Sequence, residues 1–141
     1  MRSPDLEELT MAFFRPRVSR EAEVRYHADQ EIGKGFTALL EKAREAQRHL
    51  RAVEAAGGSV AERRAAGLAL DRALTAALRA AEAGQRATLG IKGYDNRIAR
   101  RKARATPDGA LWTAEVSRLR TLREENKLNL PGIPQVYAVA R

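Results

Sequence analysis

The sequence predicts an all-α fold: a long antiparallel helical hairpin with further C-terminal helices packed on it, a short N-terminal helix and an extended C-terminal arm. Three observations carry that prediction. Two long stretches, 19–56 and 60–83, place apolar or small residues at alternating gaps of four and three, the seam spacing of packed helices. They meet at Gly57-Gly58-Ser59, where a glycine able to take positive φ closes one helix and a serine opens the next. The second stretch is rich in Ala, Leu and Arg, so its intrinsic helix propensity is high.

Residues 3–14 open with Ser3 as an N-cap, Pro4 at the first helical position and acids in the first turn. Leu6, Leu9, Met11 and Phe13 or Phe14 give this helix a short apolar face. Arg15-Pro16-Arg17 ends it as a basic elbow, since Pro16 disfavours helix at Arg15.

Ser19 caps the second helix, whose inner positions run Ile32, Phe36, Leu39, Ala43, Ala46, Leu50 and Val53. Unbroken from Arg20 to Ala56 it would be about 55 Å long. Gly33 and Gly35 each cost about 1 kcal/mol relative to Ala inside a helix, which leaves open whether the helix runs through or is kinked or broken near residue 34. After the turn, Ser59 and Glu62 have the spacing of a capping box, with the serine oxygen accepting from the N–H three residues on and the glutamate reaching back to the Ser59 N–H. The next inner positions are Gly67, Leu70, Leu74, Ala77 and Ala81. Folding about residue 58 sets Gly33 and Gly35 opposite Ala80–Gly84, which predicts a close helix crossing made of small residues.

Gly84, Gly90 and Gly93 loosen or end that helix. Tyr94–Ala105 reads as helix again, with Ile91, Tyr94, Ile98 and Ala105 facing inward. Thr106-Pro107-Asp108 starts another, which runs to about Lys127 and buries Leu111, Trp112, Val116, Leu119 and Leu122. Leu130–Pro134 cannot be helical, and Gln135–Arg141 has the Val and Tyr content of an extended segment. Such an apolar arm needs a surface, on its own bundle or on a neighbouring subunit; it also suits a peptide-recognition segment.

The 141 residues suit one domain, 1–141, with a core of its own. The chain has no Cys, which excludes disulfides, thiolate metal sites and a cysteine nucleophile. No apolar run approaches the roughly 18–20 residues of a membrane span, and acids stand where a signal peptide has its apolar segment. The expectation is a protein that is not secreted and has no membrane span, placed in the cytoplasm or a virion.

Material for catalysis is thin. His27 and His49 each follow a glutamate by four residues, Glu23 and Glu45, but lie 22 residues apart on one helical stretch, about 33 Å. They read as solvated ion pairs and not as metal ligands. Nucleotide-binding glycine loops, His-Glu-x-x-His and Gly-x-Ser-x-Gly are absent from the sequence. Neither an enzyme nor a cofactor is expected.

Charge is more informative. Lys and Arg number 26 against 18 Asp and Glu, a formal +8. Of the bases 21 are Arg, the side chain whose planar fork binds phosphate bidentately. Most of the excess lies in 86–104, where Arg86, Lys92, Arg97, Arg100, Arg101, Lys102 and Arg104 stand against Asp95 alone. Arg15 and Arg17 of the elbow extend the candidate site. Unpaired, such a ridge repels itself, and a line of phosphates relieves that repulsion while releasing counterions. The same ridge also suits acids of another helix, such as Glu7, Glu8 or Glu31. Helix-turn-helix spacing and zinc ligands are missing, and aromatic residues are few. The expected contact is therefore with the backbone of a duplex, DNA before RNA, independent of sequence.

In plan the chain resembles the α-helical coat proteins of filamentous archaeal viruses, on its size, the Arg15-Pro16-Arg17 elbow after an N-terminal helix, the helical core and the Arg97–Arg104 ridge. The resemblance implies a structural protein that wraps duplex DNA in many copies, as a homo- or hetero-oligomer. A reading from another class stays open: a helical interaction module, such as a phage connector, an assembly chaperone or a polymerase-binding factor, whose ridge meets an acidic protein surface.

Overall fold

The computed structural model describes residues 18–132. Among them the order is α1 (Arg20–Lys34), α2 (Phe36–Ala55), α3 (Val60–Thr88), α4 (Gly90–Gly93), α5 (Arg97–Arg104) and α6 (Pro107–Leu128). The described residues contain no strand, and the fold is all-α. The N-terminal helix and elbow expected at 3–17, and the arm from residue 133 onward, lie outside the described residues.

The central turn forms as its residues dictate. Gly57 takes φ +68°, and the Gly58 N–H donates to the Val53 carbonyl at 2.9 Å, closing α2. Ser59 Oγ accepts from the Glu62 N–H at 3.1 Å. The return half of the capping box differs from expectation: the Glu62 carboxylate accepts from the Ser59 hydroxyl at 3.2 Å, not from its N–H. The hydroxyl can donate while its oxygen accepts.

The first arm of the hairpin breaks at Gly35. Its N–H reaches back three residues to the Ile32 carbonyl at 3.1 Å, and Leu39 resumes the four-residue pattern on the Gly35 carbonyl. The predicted close crossing is present, made by Gly33: a Cβ there would stand 3.0 Å from Gly84 Cα, whereas a Cβ on Gly35 would meet only the Ile32 carbonyl. Gly84 therefore does not loosen α3. It lets two helices touch, and α3 runs on to Thr88.

α3 is the centre of the molecule. α1 and α2 pack on it antiparallel, and α6 packs on it antiparallel as well, with Trp112 over Gly84 near one end and Asn126 Nδ2 donating to the Gly67 carbonyl at 2.9 Å near the other. The core joins Ala43, Leu70, Leu74, Ala77, Leu78, Ala81, Val116 and Leu119, with Phe36, Leu40, Leu50, Trp112 and Leu122 packed against it. Towards its C-terminal end α3 is buried nearly all round, through Ala77, Leu78, Ala80, Ala81, Ala83 and Gly84. Small side chains there let several neighbours approach at once.

Four residues expected inside are outside: Ile32 is 49% exposed, Ile98 and Leu111 are each 67% exposed, and Ala105 is exposed as well. The inner face of α1 runs Ala22, Tyr26, Asp29 and Gly33, because only glycine fits against Gly84, and this turns Ile32 outward. Ile98 would share a face with Tyr94 only in one continuous helix. Asn96 instead starts a new one, its Oδ1 accepting from the Ile98 and Ala99 N–H groups at 2.9 and 3.3 Å. At the start of α6 Trp112 takes the inward position over Gly84, its ring edge-on to Phe36 with centroids 5.3 Å apart, and Leu111 faces solvent.

Candidate nucleic-acid interface

α3 ends at Thr88, and Gly90, with φ +70°, turns the chain into the single turn of α4. Beyond the Asn96 cap, Arg97, Arg100, Arg101 and Arg104 recur at three- and four-residue spacing and so share one side of α5. They line an open hollow of about 310 Å³. The opposite side, Ala99 and Ala103, is half-buried. Gly109 allows α6 to come close there, since a Cβ on it would stand 2.5 Å from the Ala103 carbonyl oxygen.

Among the described residues, none of Lys92, Arg97, Arg100, Arg101, Lys102 and Arg104 is in an ion pair. Arg100 is oriented by its own chain, with Nε donating to the Gly93 carbonyl at 3.0 Å. Glu31, one of the acids considered as a partner for the ridge, pairs with Lys34 at 2.8 Å; Glu7 and Glu8 lie outside the described residues.

Arg86 stands apart from this group. Its Nε donates to Asp29 Oδ2 at 3.0 Å and its Nη2 to Oδ1 at 3.1 Å, a bidentate pair between α3 and α1. The Tyr94 hydroxyl donates to the same Asp29 Oδ2 at 2.6 Å. The fork of Arg86 is thus occupied, and this residue supports the site from behind. Burial pushes the Asp29 carboxyl up, but the hydrogen bonds from Arg86 and Tyr94 and the Arg86 charge outweigh it, leaving its pKa below the ordinary aspartate value. Tyr94 moves the other way: burial and the bond to the Asp29 carboxylate push its phenol well above the usual tyrosine range.

Arg15 and Arg17 lie outside the described residues. The first described helix begins beside the ridge, however, because the Ser19 N–H donates to Asp95 Oδ2 at 3.1 Å, one residue before the α5 cap. Lys92 and Lys102 are exposed near the arginine face.

The arrangement offers planar donors to an oxyanion and little else. Among the described residues no group of three or more His, Asp and Glu could hold a metal ion, and no helix is long and apolar enough to cross a membrane. Asp29 and Tyr94 did not stand out as site residues from the sequence. Their one signal is that Ala22, Tyr26, Asp29 and Gly33 keep the four-three-four seam spacing with a carboxylate inside it. No protein-family model matches the chain, and no curated protein or solved structure matches it either.

Proposed function

We propose that the protein binds duplex DNA through its phosphate backbone, without sequence specificity and without catalysis, as a structural nucleoprotein. The observation that carries this reading is the arginine face of α5, with four guanidinium groups around one hollow and no ion-pair partner among the described residues. Four like-charged pairs at three- and four-residue spacing cost about 0.2–0.5 kcal/mol each, and phosphates would relieve them. Arg97 to Arg104 spans about 10 Å of helix, over which one strand of B-DNA presents about three phosphates. A duplex fits better than a single strand, because α5 carries no aromatic side chain for stacking, Tyr94 is held by Asp29, and Trp112 packs against Phe36.

Assembly in many copies belongs to the same reading. Val24 and Ile32 on α1 and Leu128 at the end of α6 are exposed apolar side chains that suit contacts between copies. The test is the affinity for a random-sequence duplex across a salt series. Four to six phosphate contacts give a slope of log K against log salt of about −3.5 to −5.5. No binding at about 50 mM salt refutes the proposal, and leaves an acidic protein surface as the partner of the same arginines.

A further inference from the structure

We propose that Asp29, on α1, is a positioning residue for the arginine face of α5; what that face binds rests on the nucleic-acid reading above. Among the described residues α5 packs chiefly on its neighbours in the chain, α4 and α6, and it contains no buried residue of its own. Its direction is therefore set by its two ends. The C-terminal end is fixed by the close approach of Gly109 to Ala103 and Arg104. At the N-terminal end lies a joint with two glycines, Gly90 at φ +70° and Gly93, and glycines give a joint no stiffness.

One carboxylate ties the joint to both α1 and α3. Asp29 takes the fork of Arg86 from α3 through both oxygens, at 3.0 and 3.1 Å, and with Oδ2 it accepts the Tyr94 hydroxyl at 2.6 Å. Tyr94 is joined by its own peptide bond to Gly93, whose carbonyl accepts Arg100 Nε at 3.0 Å. A short path thus runs from a carboxylate between α1 and α3, through the Tyr94 ring and one peptide plane, to a guanidinium of the binding face. Asp95, the next residue, adds a second tie by accepting the Ser19 N–H. Arginines held in one direction lose less freedom when phosphates bind, so fixing the joint raises affinity without adding a contact.

The experiment compares the full chain with Tyr94→Phe and Asp29→Asn in two measurements. Amide hydrogen exchange, read without nucleic acid, is expected to quicken at 89–104 while 70–81 of α3 stays protected. Duplex affinity is expected to fall roughly tenfold at an unaltered salt slope, because no phosphate contact is removed. Faster exchange spread evenly over the helices, unchanged exchange at 89–104, unchanged affinity, or a slope shallower by one or more, the mark of a lost phosphate contact, would each overturn the positioning role. Tyr94→Phe removes a single hydroxyl and carries the test if Asp29→Asn fails to fold. Failure of the unaltered chain to bind the duplex would refute the nucleic-acid reading, and the exchange pattern would still decide whether Asp29 holds α5.

Discussion

Replacing Gly84 by alanine is expected to destabilise the protein, while the same change at Gly67, on the same helix, is expected to be neutral or stabilising. On α3 both substitutions gain about 1 kcal/mol of helix propensity. The difference lies in what the new methyl group meets. At Gly84 a Cβ would stand 2.6, 2.7 and 2.8 Å from three carbons of the Trp112 ring, about 1 Å inside ordinary contact, and Gly33 packs on the same residue. The ring is set edge-on to Phe36 in the core, so it moves only by disturbing that contact. Overpacking of this kind costs about 1–3 kcal/mol, leaving a net loss of up to about 2 kcal/mol.

At Gly67 the near atom is Leu130 Cδ2, 2.6 Å away, the far end of a flexible side chain beyond the end of α6. A change of rotamer clears it, and the propensity gain of up to about 1 kcal/mol survives. Urea unfolding followed by circular dichroism gives both values. Trp112 is the single tryptophan of the chain, so its fluorescence should respond to Gly84→Ala and not to Gly67→Ala. A Gly84→Ala protein as stable as the parent, or a Gly67→Ala protein equally damaged, would refute this account of the crossing.

Arg97→Ala and Arg101→Ala should each make the salt slope of duplex binding shallower by about one, whereas Arg48→Ala on α2, where Arg48 pairs with Glu41 at 3.2 Å, should leave it unchanged. Because the Asp29 pKa is lowered in the fold, its contribution is full above the unfolded value of about 3.9 and fades as pH falls through the folded value. Asp29→Asn should therefore cost about 1–3 kcal/mol at pH 7, and the gap to the parent in urea unfolding should narrow below pH 4. Ser59→Ala removes the acceptor of the Glu62 N–H at the start of α3 and should cost about 1 kcal/mol in thermal unfolding.

Features governed by local chemistry were legible in the sequence. The caps at Ser19, Ser59 and Thr106 accept from N–H groups three residues on, as their spacing implies, and Gly57 has the positive φ that a helix stop asks of glycine. The opposition of Gly33 and Gly84 follows from counting outward from one turn. The phase of helices whose partners lie far along the chain was less legible. Counting apolar residues favours Ile32 for the inside, but the backbone of α3 is so close that glycine takes the inward place. The arginine face of α5 follows from spacing alone, whereas the occupation of Arg86 by Asp29, 57 positions earlier, leaves no local trace. A carboxylate at a seam position is the only mark of that pair.

The centrality of α3 bears on how the chain reaches this structure. Its packing with α2 closes through a short turn, so the α2–α3 pair costs little loop entropy and is suited to form first. α1 and α6 make their main contacts with α3, and each adds to a helix already ordered by that hairpin. Assembly is then a nucleus followed by two dockings, with α5 swung into place last, when Asp29 and Arg86 have come together to receive Tyr94. Changes within α3 would slow folding itself, whereas changes in α5 would chiefly hasten local opening.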